Sequence, residues 1–303
     1  MTLSPLIVIL GPTSSGKTRL AVELARKFKG EIISADSRQV YQEMDIGTGK
    51  DLEEYGTEKN RVPYHLIGIV KPTTRFTVAR YQKLAYQKIE EILQRGKIPF
   101  LVGGTGLYIQ AVVDGLVFPK AKGSPSLRKK LAQLSLRQLL QKLKKLDYQT
   151  YQTIDKKNRR RIERAIEICL LTGKPFSQQT KKQPPPYHIL QIGLKLPKEI
   201  LHKKIKKRLE KQFKDGLIEE VKKLHQKGTS WKRLKEFGLE YRYVSYYLRG
   251  QMSYQEMFAK LYQAIKDFAK RQMTWFKRDK RIHWIKNKKE AITLIKQFLS
   301  SLT

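Results

Sequence analysis

Apolar residues in this chain alternate between two rhythms, runs and helical stripes. Leu6-Ile7-Val8-Ile9-Leu10 is an unbroken apolar run that reads as a strand. After a short polar turn, Arg19 to Phe28 carries Leu20, Leu24 and Phe28 at helical spacing. Glu31-Ile32-Ile33-Ser34 predicts a second short strand, and Tyr64 to Val70 a third. Thr77 to Arg95 predicts a helix with Val78, Tyr81, Leu84, Tyr86, Ile89 and Leu93 inward, closed by Gly96. Ile98 to Val102 is a buried strand that runs into Gly103-Gly104-Thr105-Gly106, and a helix follows to Val113. Strands alternating with helices predict a parallel α/β sheet. Such sheets gather ligands at the carboxyl ends of their strands. Gly11, Asp36-Ser37 and Gly104-Thr105 are therefore expected at one crevice.

The pattern changes near Pro119. From Pro125 to about Thr180 it is helical and polar. Asp155 to Leu171 predicts one helix, with Ile162, Ala165, Ile166 and Cys169 on its apolar face and Gly173 at its end. Pro184-Pro185-Pro186 stiffens a connector, and His188 to Leu196 reads as a core strand returning. Residues 119–187 are thus a helical insertion in a core made of 1–118 and 188–303. Lys198 to Lys227, Tyr254 to Lys277 and Ala291 to Leu302 are expected as C-terminal helices.

Charge singles out the partner. The chain of 303 residues has 63 Lys+Arg and 27 Asp+Glu, a net +36. Residues 1–118 account for only +4 of this excess and residues 119–303 for +32. Within 119–187 there are 18 basic and 4 acidic side chains. A base composition bias would spread lysine evenly, so the asymmetry points to a polyanion such as a nucleic acid. Cys169 is the sole cysteine, which excludes an internal disulfide and a cysteine-based zinc site. No apolar stretch is long enough to span a membrane. A soluble, cytoplasmic monomer is expected.

The turn after the first strand carries chemistry. Gly11-Pro12-Thr13-Ser14-Ser15-Gly16-Lys17-Thr18 fits G-x-x-x-x-G-K-[ST], in the strand–turn–helix frame that this motif requires. Backbone N–H groups of such a turn and the helix N-terminus bind phosphate. Lys17 adds a point charge, and Thr18 a hydroxyl for Mg²⁺. Many P-loop ATPases hold the Mg²⁺ shell with an Asp at a strand end. Here the strand at 98–102 ends in Gly103-Gly104-Thr105 instead. The acid at the crevice is Asp36, which either takes a proton from an attacking acceptor or merely caps a turn. Three functions fit these residues: a small-molecule kinase of the shikimate or nucleotide type, transfer from a diphosphate donor to a nucleic acid, or an RNA-binding P-loop switch. The basic excess disfavours the first and the missing strand-end Asp the last.

Several blocks carry a resemblance. They are Gly11 to Thr18; Ile32 to Tyr41, with Ala35-Asp36-Ser37-Arg38-Gln39 at its centre; and Met44-Asp45-Ile46-Gly47-Thr48. Further along come Tyr64-His65-Leu66-Ile67, Phe76 to Ala79, Leu101 to Tyr108, Asn158 to Arg161 with Arg164-Ala165, and Ala269 to Phe276. In this order the chain resembles the tRNA dimethylallyltransferases of bacterial type over nearly its whole length. The resemblance implies a P-loop NTPase-like parallel sheet flanked by helices. It also implies transfer of dimethylallyl from its diphosphate to N6 of the adenosine 3′ of a tRNA anticodon. Residues 11–18 would hold the diphosphate with Mg²⁺, Asp36 would be the general base, and Thr105 would lie beside the reacting centre. Asp36, Ser37, Arg38 and Gln39, and Arg160, Arg161, Ile162, Glu163 and Arg164, fall in tRNA-contacting segments, as does Arg128. The chain departs from the family at Gly68, where Asp is usual, and at Leu239-Glu240. Trp231, Trp275 and Trp284 are expected to pack in the core, and Lys203-Lys204 and Lys206-Lys207 to form a solvated face.

Overall fold

The computed structural model of the chain describes residues 4–302 except Lys120 and Lys122. These residues divide into two compact units, 1–112 with 186–303, and 113–185.

In the first unit, β1 (Ser4–Leu10), α1 (Lys17–Lys27), β2 (Gly30–Ser34) and β3 (Tyr64–His65) lead into α2 (Val78–Gln94). Next come β4 (Ile98–Gly103) and α3 (Gly106–Val113). The strands lie in the order β3-β2-β4-β1, with every pair parallel. β1 is buried from Leu6 to Leu10 because neighbouring strands and flanking helices cover it; this explains why its sequence is a run and does not alternate. Ile7, Ile9, Leu24, Ile32 and Phe100 close one core around it.

Helix α2 turns Tyr81, Ala85, Ile89 and Ile92 inward. Val78, Leu84, Tyr86 and Leu93, expected inward, lie only half-buried at the flanks of that stripe, since 81, 85, 89 and 92 follow the 3.6-residue period more closely. The third strand is also shorter than expected. Only Tyr64 and His65 pair with β2; Leu66 and Gly68 then take φ of 63° and 62°, which ends an extended chain, and Val70 returns only as an isolated bridge to Tyr41.

The second unit is helical: α4 (Pro125–Ala132), α5 (Leu136–Leu146), α6 (Tyr148–Thr153), α7 (Arg159–Thr172) and α8 (Phe176–Gln179). Leu131, Leu139, Leu143, Ile162, Ala165 and Ile166 form its core. Helix α7 starts later than expected, because the Asn158 side chain accepts the Arg161 N–H and caps the helix there.

The chain then rejoins the first unit as β5 (Tyr187–Leu194), beside β1. The predicted helix over 198–227 is two helices, α9 (Lys198–Lys214) and α10 (Leu217–Gln226), broken at Gly216 with φ 98°. Two helices without a strong sequence signal follow, α11 (Trp231–Phe237) and α12 (Leu239–Leu248). Then come the long α13 (Tyr254–Phe276), the edge strand β6 (Ile282–Ile285) and α14 (Lys288–Ser300). β6 completes the order β3-β2-β4-β1-β5-β6. Among the described residues no helix is long and apolar enough to cross a membrane.

Candidate active site

The sheet order makes β2, β4 and β1 neighbours, and the register pairs Leu10 with Gly103 and Ser34 with Val102. The three turns that leave these strands therefore emerge side by side. They open into a cleft of about 530 Å³, counting the solvent at its mouth. Thr13, Lys17, Thr18, Asp36, Arg38, Gln39, Gly103 and Gln272 are among its walls.

The first turn is the candidate anion loop. Gly16, at φ 86°, precedes the first turn of α1, where a left-handed backbone suits glycine. Lys17 Nζ donates to the Pro12 carbonyl at 3.3 Å. Burial lowers the Lys17 ammonium to about 8, against the opposing pull of Asp36 and with a further push down from Arg208. The loop thus holds a lysine whose charge burial disfavours, although Asp36, Glu54 and Asp51 favour it. Ser15 Oγ is buried and, among the described residues, is the one buried side-chain polar atom with no partner. A loop that places a desolvated lysine beside an unmet hydroxyl suits an anion.

The second turn is set by Asp36. Its Oδ1 accepts the N–H of Arg38 at 2.9 Å and of Gln39 at 3.3 Å. The capping role is therefore real, but it occupies one oxygen; among the described residues no donor pairs Oδ2. Ser37 N–H donates to Thr105 Oγ1 at 3.0 Å, and Thr105 N–H donates to the Ala35 carbonyl at 3.1 Å, so the third turn is bound to the second. Their approach depends on Gly103, where a Cβ would sit 2.2 Å from the Ala35 oxygen.

The Met44 to Thr48 segment forms a further wall. The Glu220 carboxylate accepts the N–H groups of Asp45, Ile46 and Gly47 at 2.7, 2.7 and 3.0 Å, and the Tyr241 hydroxyl at 2.7 Å. Gln39 Nε2 donates to the Gly49 carbonyl at 2.9 Å, tying this loop to the Asp36 turn. Arg208, from α9, donates to Gly49 O and to Asp51 and faces the same cleft. The Arg38 guanidinium is bonded to Glu240 at the point where the chain departs from its family pattern. Burial opposes the Arg38 charge, but Glu240 and Asp36 outweigh it and raise its affinity for the proton. The other departure, Gly68, sits in the left-handed conformation noted above.

Residues of the insertion form their own network. Glu167, 1% exposed, accepts from Arg128 Nε at 2.8 Å, Arg164 Nη1 at 2.6 Å and the Ser124 N–H at 2.9 Å. Burial raises its carboxyl, but the two arginines outweigh that and hold it below the usual range. Arg159 donates to Glu163 and to the Leu131, Ala132 and Leu134 carbonyls at the end of α4. Ile162 is fully buried, so its side chain packs and does not face solvent. Arg160 and Arg161 are exposed.

The sequence carries no signal for the roles of Gln272, Arg208 and Glu220, and marks Glu240 only as a departure from the family pattern. Gln272 lies within the Ala269 to Phe276 block that resembles the family, but nothing local marks its role. Arg208 was hidden among lysines, whose neighbours Lys203, Lys204, Lys206 and Lys207 are exposed. The three tryptophans are half-buried against protein, Trp231 against His225 and Trp275 against Gly106.

Comparison with known proteins agrees with this geometry. Residues 39–279 match the IPP transferase family. The tRNA dimethylallyltransferase 1 of Syntrophus aciditrophicus is 49% identical over 284 residues, 92% of this chain and 93% of the relative. The tRNA dimethylallyltransferase 1 of Geotalea daltonii is 44% identical, with 92% and 90% covered. The crystal structure of the tRNA isopentenylpyrophosphate transferase of Bacillus halodurans superimposes with a TM-score of 0.70 at 35% identity, covering 99% of this chain and 96% of that one. A eukaryotic dimethylallyltransferase acting on tRNA shares the fold, with a TM-score of 0.83 at 24% identity over 98% of this chain and 80% of its own. Matches of this length and identity make the chain a member of the IPP transferase family, the family of the tRNA dimethylallyltransferases.

Proposed function

We propose that the cleft transfers dimethylallyl from dimethylallyl diphosphate to N6 of the adenosine just 3′ of a tRNA anticodon. The single observation that carries this is the meeting, in one cleft, of the glycine loop with Lys17 and a turn that offers the Asp36 carboxylate, without a strand-end Asp on β4. The loop binds the leaving diphosphate, and the carboxylate serves the acceptor.

Adenine N6 is a weak nucleophile, since its lone pair is delocalised into the ring. The donor must therefore develop allylic cation character before attack. In the step, the N6–C1 bond forms, the C1–O bond breaks with its electron pair leaving on diphosphate, and the N6 proton passes to Asp36. Lys17, the loop amides and Arg208 stabilise the charge that grows on diphosphate. Thr105, which holds Ser37, stands beside the acceptor. The target base must leave its stack to enter such a cleft.

Mg²⁺ fits the oxygen donors present. Thr18 and Asp36 both line the cleft, and no cluster of three metal-ligating side chains occurs among the described residues. Such a site suits an ion that draws most of its ligands from diphosphate and water. Bound there, Mg²⁺ supplies additional charge to the leaving group. Thr18 is the residue that would hold it.

The insertion, with its 18 basic and 4 acidic residues, binds anticodon-stem phosphates. The enzyme works as a monomer, in the cytoplasm with its tRNA. The test is mass analysis of nucleosides from unmodified tRNA incubated with the protein, Mg²⁺ and dimethylallyl diphosphate. An adenosine heavier by one dimethylallyl group at that position is expected; unmodified nucleosides would defeat the proposal.

A further inference from the structure

We propose that Gln272 is a positioning residue that sets the spacing between the diphosphate cradle and the acceptor-side turn. This rests on the prenyl-transfer reading above. Gln272 projects from α13, whose Ile265, Ala269 and Phe276 are buried. Its own side chain is buried and lines the cleft. Oε1 accepts the Thr13 N–H at 2.8 Å, and Nε2 donates to the Gly104 carbonyl at 2.8 Å.

The two partners belong to the two turns that must cooperate. Thr13 is in the anion loop. Gly104 precedes Thr105, which bonds Ser37. β1 and β4 are held by ladder bonds as far as Leu10 and Gly103, where their register ends. Beyond that point the sheet no longer sets the distance between the turns. The Gln272 amide takes over there: it offers one donor and one acceptor, as a peptide group does, and so adds a rung after the ladder has ended.

The chemistry of the residue is specific to this task. Only one orientation of the amide satisfies both partners, because Thr13 presents an N–H and Gly104 a C=O. Methionine matches the length and serves neither. Glutamate serves Thr13, but when ionised it opposes the Gly104 carbonyl. Gly104 has to be glycine for the contact, since a Cβ would lie 2.5 Å from Nε2. Transfer needs the leaving oxygen, C1 and N6 in line, and displacement by an ångström costs on the order of 10²-fold in rate.

The test measures single-turnover transfer to tRNA and, separately, the Kd of inorganic pyrophosphate by calorimetry. Gln272→Met should fold, bind pyrophosphate within about threefold of wild type, and transfer on the order of 10²-fold more slowly. Gln272→Glu should regain rate relative to wild type as pH falls, when its protonated carboxyl can donate to Gly104. Gly104→Ala should slow transfer similarly, and the double variant with Gln272→Met should be no slower than the worse single, as expected for one shared contact. The inference is overturned if Gln272→Met transfers at the wild-type rate, if its rate loss merely follows loss of folded protein or of pyrophosphate binding, or if the Gln272→Glu ratio ignores pH. If the wild-type protein binds pyrophosphate and transfers nothing, the prenyl-transfer reading itself falls and takes this role with it.

Discussion

On the proposed mechanism Asp36 does two jobs with two oxygens. Oδ1 holds the turn through Arg38 and Gln39, and the other oxygen is available to a proton. Asp36→Asn keeps an acceptor for both N–H groups, and Asn caps about as well as Asp. Its Tm should stay near wild type while single-turnover transfer falls by about 10²–10⁴-fold, the usual loss for a general base. Near-normal transfer would leave Asp36 as a cap alone. Lys17 gives a pH signature. Below its value of about 8 the free loop carries the cation that diphosphate needs. Above it, binding must first take up a proton, so pyrophosphate affinity should fall about tenfold per pH unit, a trend that calorimetry between pH 7 and about 9.5 would expose. The same shift predicts a stability effect. A lysine with a lowered folded value costs stability while it is charged in the fold, and the cost fades as pH rises from about 8 towards the unfolded value. Part of the Lys17 side chain meets solvent, which limits the cost to about 1–3 kcal/mol. Lys17→Met should therefore raise the Tm of the ligand-free protein at pH 7, with no such gain at high pH, and lower transfer by on the order of 10²-fold or more.

Helix α7 combines arginines that serve the fold with arginines that are exposed. Arg164, with Arg128 from α4, neutralises the buried Glu167, and Arg159 caps the end of α4. Arg160 points to no such duty. Arg128→Ala or Arg164→Ala strips one partner from a buried carboxylate and should cost about 1–3 kcal/mol in thermal or denaturant unfolding. Because the folded Glu167 value is lowered, its network stabilises above the unfolded carboxylate value and fades as pH falls through the folded one. Arg160→Ala should leave stability within about 0.5 kcal/mol and weaken tRNA binding, with the salt slope smaller by roughly one unit per lost phosphate contact. An unchanged slope would make Arg160 a solvated residue only. A block replacement of all these arginines would confuse the two roles, since it would strip the buried Glu167 of both its arginine partners as well.

Over the molecule, the sheet presents one reactive edge, and its chemistry follows from what stands at each strand end. β1 leads to a phosphate loop, β2 to a carboxylate, and β4 to a glycine turn where many ATPases place Asp. The protein should therefore release one pyrophosphate per prenyl group transferred and hydrolyse ATP at no more than background, tRNA present or absent. Robust tRNA-stimulated ATP hydrolysis without prenyl transfer would overturn that. The basic excess also continues past the insertion: residues 188–303 hold 29 basic and 11 acidic side chains. The tRNA affinity of the whole chain should thus stay strongly salt-dependent even when single insertion arginines are removed.

Local chemistry was enough to read much of this protein from its residues. A strand, a glycine turn and a helix in sequence dictate an anion loop at Gly11 to Thr18, because every contact needed to form it lies within a few residues. The parallel sheet follows from the same alternation, whereas the strand order that makes β2, β4 and β1 neighbours is decided by the fold. Asp36 was legible as a cap or a base, and only the bond pattern showed that one oxygen caps while the other is left over. Short signals misled where backbone geometry overrode apolar content, as at Leu66 to Val70, or where one glycine broke an amphipathic run, as at Gly216. Gln272, Glu220 and Arg208 were out of reach for a different reason. Gln272 meets Thr13 across 259 positions, Glu220 meets Asp45 across 175, and Arg208 meets Gly49 across 159. A side chain whose partners lie that far along the chain carries no periodic or spacing signal, so its role came into being only when the helices folded back onto the strand ends.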